Sequence, residues 1–126
     1  MCDLTGDHVV VFENSVLAPG QARDFVRRNS CHQHAFIAMD ALLLVTSELI
    51  TNAVLHGQPP ITLHLSCLVS EVRLTIGDTG PKLPREQGTR GGLGLLIVAG
   101  IARQWGTTPL VTGKEVWCRV PTGTLG

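Results

Sequence analysis

Two polar side chains, Glu48 and Asn52, interrupt the most apolar stretch of the sequence. They are four residues apart, so on a helix they lie on one face, and His56 continues that face with a further offset. A carboxylate and a carboxamide among leucines are costly to bury unless a charged or hydrogen-bonding group meets them. A structural interpretation stays open: Glu48 paired with an arginine, Asn52 bonded to backbone, and His56 as a cation near the helix C-terminal carbonyls.

A carboxylate also ends an alternating apolar segment further along the chain. Asp78 has the same parity as Val72, Leu74 and Ile76, so its side chain is predicted to point to the apolar face of that strand. There it could accept hydrogen bonds from the amino group of a nucleobase, and Gly80 would let backbone approach a flat ring. The alternative interpretation is a plain tight turn around Asp78.

A glycine cluster, Gly91-Gly92-Leu93-Gly94-Leu95, stands directly before an apolar segment with helical spacing. Unpaired backbone N–H groups and the helix dipole at such a position favour phosphate. A flexible loop with tight packing is the alternative. The cluster does not match a dinucleotide-binding fingerprint, because no strand precedes it and Ile97 stands where the third glycine is needed.

These side chains need a scaffold, and hydrophobic periodicity predicts one in the order β-α-α-β-β-loop-α-β-β. The predicted helices are 19–28, 36–56 and 93–104, the predicted strands are 8–13, 61–67, 72–76, 107–112 and 115–120, and 77–92 is a loop. The long helix is expected to be largely buried. We expect an α/β (α+β) fold, a two-layer sandwich in which helices cover one face of a mixed, mainly antiparallel sheet, and a single domain over residues 1–126.

Composition excludes several function classes. The formal net charge is +0 and aromatic residues are 4% of the chain, which disfavours nucleic-acid binding. No apolar run is long enough to span a bilayer and no signal peptide is recognisable, so we expect a cytoplasmic protein without membrane contact. Its cysteines are expected to be reduced, and Cys31-His32-Gln33-His34 lacks a second ligand group at zinc spacing.

Together the three polar features resemble the nucleotide site of the superfamily of DNA gyrase, heat-shock chaperone, histidine kinase and MutL ATPases. Its N-box resembles the run from Glu48 to Gly57, its first glycine box resembles Asp78-Thr79-Gly80, and its second resembles the Gly91 to Leu95 cluster. Within that superfamily the chain is most similar to the anti-sigma-factor serine/threonine kinases of actinomycetes. The later segments 104–106 and 113–117 share in this similarity.

The resemblance implies a set of site residues. Asn52 would bind the Mg²⁺ that bridges the ATP phosphates, Asp78 would bind the adenine amino group, and Glu48 would be the general base. The remaining nucleotide-binding positions would be His56, Gly80, Gly91, Gly92, Gly94 and Leu95, with Gly92 and Gly94 at the phosphates. Two departures imply weak ATP binding: Pro81-Lys82 replaces a usual second glycine of the first glycine box, and the lid from Pro81 to Arg90 is short.

The resemblance also implies a function. The chain would transfer phosphate from ATP to a serine or threonine of an anti-sigma-factor antagonist and would sequester a sigma factor, regulating transcription by partner switching, with a homodimer as one possible state. One alternative is a catalytically silent module that binds the sigma factor or antagonist with weak or no nucleotide binding. A lesser alternative is an ATPase or a histidine kinase catalytic domain, although the chain has no segment expected to be a helical phosphoacceptor.

Overall fold

The computed structural model describes residues 6–13, 15–30, 35, 38–68, 70–81 and 89–122. Within them the strands are β1 (Gly6–Phe12), β2 (Ile61–Cys67), β3 (Glu71–Asp78), β4 (Gln104–Leu110) and β5 (Gly113–Pro121), and the helices with defined bounds are α1 (Ala18–Asn29), α2 (Met39–His56) and α3 (Thr89–Ile101). The predicted order of elements is confirmed.

The strands form one sheet in the order β1-β2-β3-β5-β4, and all four pairings are antiparallel. The predicted hairpins β2–β3 and β4–β5 are both present. They join through β3 and β5, whose register places Asp78 directly opposite Lys114. The centre of the sheet is therefore built from the strand that carries the first glycine box and the last strand of the described chain.

The core lies between one face of the sheet and the helices. Alternate residues of the central strands point to this face and are buried; they include Leu63, Leu65, Leu74, Ile76, Val116, Cys118 and Val120. The period of two in the sequence produces this division, because successive side chains of a strand point to opposite faces. Helix α2 packs between α1 and α3 and contacts β2 and β3. The predicted α/β architecture is confirmed.

Helix α3 begins four residues earlier than predicted and ends three earlier, at Ile101. Gly91 and Gly92 therefore lie inside the helix instead of in the preceding loop, and Gly94 lies within the helix as predicted. Glycine lowers intrinsic helix propensity, which favoured a loop, but α3 packs against α2 and tertiary contact overrides propensity. The helix cannot extend to residue 104, because Gln104 starts β4 and pairs with Arg119.

The expectation that the long helix is largely buried is wrong along one face. Leu44 is 43% exposed and Leu55 is 68% exposed. They are eleven residues apart, three helical turns, so they project from the same side of α2. The opposite side carries the residues buried against the sheet, including Leu42, Leu49, Ile50 and Ala53.

The structure bears on the expectations for the cysteines, for a metal site and for a membrane span. Cys67 and Cys118 are buried without a disulfide, and burial raises the pKa of the Cys118 thiol to about 12. Cys31-His32-Gln33-His34 lies outside the described residues, and no group of three His, Cys, Asp or Glu side chains suited to a metal occurs within them. In the described part of the chain, no helix combines the length and apolar character needed to cross a bilayer.

Candidate functional site

Glu48 and Asn52 lie on α2 one turn apart, both half-buried. The carboxylate of Glu48 has no hydrogen-bond or ion-pair partner among the described residues. The Nδ2 atom of Asn52 is enclosed and also has no partner there. The structural interpretation of these two side chains, an arginine pair and a backbone bond, is therefore not what the described residues show. A buried amide donor without an acceptor is rare in folded proteins and indicates a missing partner.

His56 is the last residue of α2 and is half-buried. The segment that follows it is tied to the turn after β3. Thr79 N donates to the carbonyl of Gln58 at 2.9 Å, and Thr79 Oγ1 donates to the carbonyl of Pro59 at 2.8 Å. These bonds fix the C-terminal end of α2 beside Asp78, so the N-box and the first glycine box form one structural unit.

Asp78 ends β3 and points to the helices, as its parity predicted. The residue is buried, and its Oδ1 accepts hydrogen bonds from Gly80 N at 2.7 Å, Lys114 Nζ at 2.9 Å and Gln58 N at 3.4 Å. Its Oδ2 accepts no hydrogen bond within the described residues. One oxygen of the carboxylate is therefore held by the protein, and the other has no hydrogen-bond donor among the described residues.

Glycines surround Asp78 because no side chain would fit beside it. A Cβ on Gly57 would lie 2.5 Å from Asp78 Cγ, and one on Gly80 would lie 3.0 Å from Asp78 Oδ1. Gly113 has φ +104°, and a Cβ there would lie 2.0 Å from the carbonyl oxygen of Asp78. Gly80 thus allows close approach of backbone, but the group it approaches in this structure is Asp78 itself.

A small cavity separates α2 from the sheet and brings the two boxes together. It is lined by Leu49, Asn52, Ala53, Ile76, Asp78, Lys114 and Val116. Its volume is ≈ 10 Å³, about that of a single water site and far below that of a purine ring. The buried Lys114 side chain, 3% exposed, occupies the space beside Asp78.

Lys114 is the site residue that the sequence reasoning missed. Segment 113–117 was used only as part of the family similarity, and no role at the site was expected for Lys114. A usable signal exists, because Lys114 has the same parity as Val116, Cys118 and Val120 and must point inward with them.

The glycines of the second box are divided between two helical turns. Gly91 is the third residue of α3, among the amide groups that have no acceptor within the helix, and Gly92 follows it as the fourth. Gly94 lies in the second turn, so in a regular helix its amide bonds to the backbone four residues earlier and is not available to a phosphate. Leu95 is buried in the hydrophobic core. Pro81 is exposed, and residues 82–88 of the expected lid lie outside the described part of the chain.

The available donors and acceptors fit a nucleotide with a divalent cation. The Asn52 carboxamide has no hydrogen bond among the described residues: its oxygen is the atom that would bind a cation, whereas its unpaired Nδ2 is a donor suited to a phosphate oxygen. Asp78 has a carboxylate oxygen without a donor, and the first turn of α3 offers backbone amides. The space beside Asp78 can hold a purine ring only after the Lys114 side chain leaves it, since the ring and the lysine cannot occupy the cavity together.

Solved structures with a fold similar to this chain include histidine kinases. The histidine kinase domain of the blue-light activated histidine kinase EL346 from Erythrobacter litoralis has TM-score 0.53 and 24% identity, over 67% of this chain and 44% of that chain. A second EL346 structure has TM-score 0.54 and 24% identity, over 67% of this chain and 30% of that one. The histidine kinase AdeS from Acinetobacter baumannii has TM-score 0.56 and 12% identity, over 93% and 68%.

At these identities the likeness concerns the fold, and the chain spans less than half the length of either EL346 structure. No curated protein matches the chain. The family model described as histidine kinase-, DNA gyrase B-, and HSP90-like ATPase matches residues 38–124, which include both glycine boxes and the N-box. The chain therefore belongs to this family of ATP-binding domains of kinase and ATPase type.

Proposed function

We propose that this chain is an ATP-dependent protein serine/threonine kinase of the anti-sigma-factor type. The observation that carries the proposal is the position of Glu48. Its carboxylate is half-buried, has no partner among the described residues, and lies one turn from Asn52 on α2. Leu44 and Leu55, both exposed, project from the same side of the helix within about 40° of Glu48 at 100° per residue. Exposed leucines beside an unpaired carboxylate suit a protein substrate better than a water molecule.

The proposed roles follow from this arrangement. Glu48 accepts the proton of the substrate serine or threonine hydroxyl as that oxygen becomes the nucleophile. The Asn52 side chain binds Mg²⁺, and the Asp78 carboxylate accepts a hydrogen bond from the adenine amino group. Mg·ATP, when bound, supplies the phosphoryl group and the charge of the metal. Leu44 and Leu55 contact the antagonist protein that carries the hydroxyl, and a sigma factor is the second partner of the proposed switch.

Two observations favour other functions within the same family. The Lys114–Asp78 pair fills the cavity expected to hold the base, which favours a silent binding module with weak nucleotide affinity. The solved structures of similar fold are named as histidine kinases, which favours a histidine kinase catalytic domain whose phosphoacceptor lies elsewhere. The three functions differ in whether phosphate is transferred and in which residue receives it.

The experiment measures transfer of γ-³²P from Mg·ATP to a candidate antagonist domain by wild type, Glu48→Gln and Asp40→Asn. Asp40 is an exposed acid in the first turn of the same helix, so its substitution makes the same charge change away from the site. For a kinase we expect Glu48→Gln to lose about 10² to 10⁴-fold in transfer rate, the range of general-base catalysis, while its ATP affinity stays near wild type. Asp40→Asn should retain full activity.

Acid treatment of the product separates the kinase types, because phosphoserine and phosphothreonine survive acid and phosphohistidine does not. Acid-labile product would replace the proposal with a histidine kinase. Wild type that captures its partner in a pull-down but transfers no phosphate at saturating Mg·ATP, with Glu48→Gln behaving identically, would leave the silent module.

A further inference from the structure

The sheet face opposite the helices carries a row of charged side chains in register. Arg73 of β3 pairs with Arg119 of β5, which pairs with Gln104 of β4. Arg103, the residue before Gln104, joins this row through its side chain. Like charges placed directly opposite on neighbouring strands destabilise a sheet unless an opposite charge meets them. This row therefore needs an anion.

Glu71 supplies part of that negative charge. Its carboxylate accepts from Arg73 Nε at 2.7 Å, from Arg119 Nε at 2.8 Å and Nη2 at 2.9 Å, and lies 3.7 Å from Arg103 Nη1. Its side chain is only 4% exposed. One carboxylate thus holds three guanidinium groups in place and leaves a net charge of +2 in the cluster.

The positive charge that Glu71 does not neutralise is accessible. The side chains of Arg73 and Arg103 are each 53% exposed, and that of Arg119 is 34% exposed. Within the described residues only the Nε atom of Arg73 is engaged by its carboxylate partner, so both terminal nitrogens point to solvent or to a ligand. Guanidinium groups that are already oriented lose little entropy when they bind a second carboxylate.

Trp117 forms the neighbouring wall of the same face. It pairs with Gly106 on β4 and Thr75 on β3, and a Cβ on Gly106 would lie 2.7 Å from its ring. The indole therefore lies across the glycine. A groove of ≈ 320 Å³ runs between this ring and the arginines, lined by Arg73, Thr75, Gln104, Trp117, Cys118 and Arg119.

We infer that this groove binds an acidic peptide segment of a partner protein, with a carboxylate side chain on Arg73 and Arg103 and an apolar or aromatic side chain against Trp117. Charge complementarity supports the carboxylate, because oriented guanidinium groups bind carboxylates through paired hydrogen bonds. The short extent of the positive patch supports a peptide over a nucleic acid. Glu115, two residues from Trp117 on the same face, marks the end of the positive patch. Its negative charge would repel a nucleic acid that extended beyond the arginines.

The groove is separate from the nucleotide site although both use β3 and β5. Asp78 and Lys114 point toward the helices, whereas Arg73, Trp117 and Arg119 point away from them. Binding at the groove therefore does not require the proposed kinase function. Its test can succeed or fail whatever the result of the phosphate-transfer experiment.

The test is selection of a random peptide library displayed on phage against the folded wild-type chain, with counter-selection on Arg73→Gln. We expect the enriched peptides to carry Asp or Glu next to an apolar or aromatic residue. A selected peptide labelled with fluorescein should bind Arg73→Gln and Trp117→Leu about tenfold more weakly than wild type by fluorescence anisotropy, the loss expected for one charged hydrogen bond or one aromatic contact. Replacing its glutamates by glutamines should have a similar effect.

Arg28→Gln is the matched control. Arg28 is exposed on α1, so its substitution removes the same positive charge from the helical layer, away from the groove. It should bind the peptide like wild type. Arg73→Gln leaves Arg119 on Glu71 with two hydrogen bonds, and circular dichroism should confirm that it folds. The proposal is overturned if no acidic peptides are enriched, if Arg73→Gln binds them as well as wild type, or if a labelled oligonucleotide binds the same groove more tightly.

Discussion

The ammonium group of Lys114 lies 2.9 Å from Oδ1 of Asp78, and each side chain is only 3% exposed. A buried ion pair is costly to break by removing one member, because the other charge is left without compensation. In this chain the pair also occupies the cavity in which the proposed nucleobase contact would be made. Nucleotide binding and the stability of this pair are therefore opposed.

Lys114→Thr tests that opposition. The shorter side chain keeps a hydroxyl donor near Asp78 and frees the cavity, so we expect ATP to bind about tenfold more tightly, the change that about 1.4 kcal/mol produces. Without ATP, the free energy of unfolding should fall by about 3 to 5 kcal/mol, the usual loss on breaking a buried pair. Isothermal calorimetry and urea denaturation measure the two quantities. Glu115→Thr, on the opposite face of β5, is the control. A folded Lys114→Thr with unchanged or weaker ATP affinity contradicts the competition.

Asp78→Asn should weaken ATP binding by about 1.5 to 3 kcal/mol, since a charged acceptor for the base is lost. The structure also predicts a loss of stability for this variant. Lys114 would remain buried without its counter-charge, so the free energy of unfolding should fall. The double variant Asp78→Asn with Lys114→Met should recover stability in thermal denaturation but not ATP affinity. Equal ATP affinity in wild type and the folded single variant would remove Asp78 from the proposed site.

Asn52→Ala should lose the metal-dependent part of nucleotide affinity. Because Asn52 Nδ2 has no partner among the described residues, the alanine breaks no internal hydrogen bond there and should not lower stability through one. The measurement is ATP titration with and without Mg²⁺. Thr51→Ala, the neighbouring half-buried position, is the control. If Mg²⁺ strengthens ATP binding equally in wild type and Asn52→Ala, the metal is held by other groups.

Glu71 should make stability depend on pH in the acid range. Hydrogen bonds from Arg119, and then from Arg73, lower the pKa of the carboxyl from 4.5 to about 2 against the opposing effect of burial. Because the pKa of Glu71 is lower in the folded state, the stabilisation from its ionised carboxylate is complete above the unfolded-state pKa. It is lost as the pH falls toward the folded-state pKa. The free energy of unfolding should therefore drop between pH 4.5 and about 2. Glu71→Gln should be less stable at neutral pH and show a flatter profile in that window. Equal slopes for both proteins would show that other carboxyls dominate.

Parity along β3 and β5 explains what the sequence could and could not predict. It placed Asp78 on the inner face correctly, because the residue continues an unbroken apolar alternation. The same rule applies to Lys114, but an isolated lysine beside a turn is usually solvated, and only the pairing of β3 with β5 reveals the buried carboxylate opposite it.

The remaining differences have similar causes. The early start of α3 was missed, since glycines have low helix propensity and the packing of α3 on α2 is not visible locally. The long helix was expected to be largely buried, although Leu44 and Leu55 lie on the side of α2 that faces away from the sheet. Composition and spacing specify which residues are apolar or polar, but tertiary contacts decide which of them are covered.

The tight turn before β5 has a consequence for how this protein can vary. Gly113, with its positive φ against the carbonyl of Asp78, fixes where β5 starts and thus which of its residues face each side. Inserting one residue directly after Gly113 would shift the strand by one position, turning Lys114 and Trp117 each to the opposite layer. Substitutions can alter the nucleotide site or the arginine groove separately, whereas a single insertion or deletion in this hairpin would remove both together.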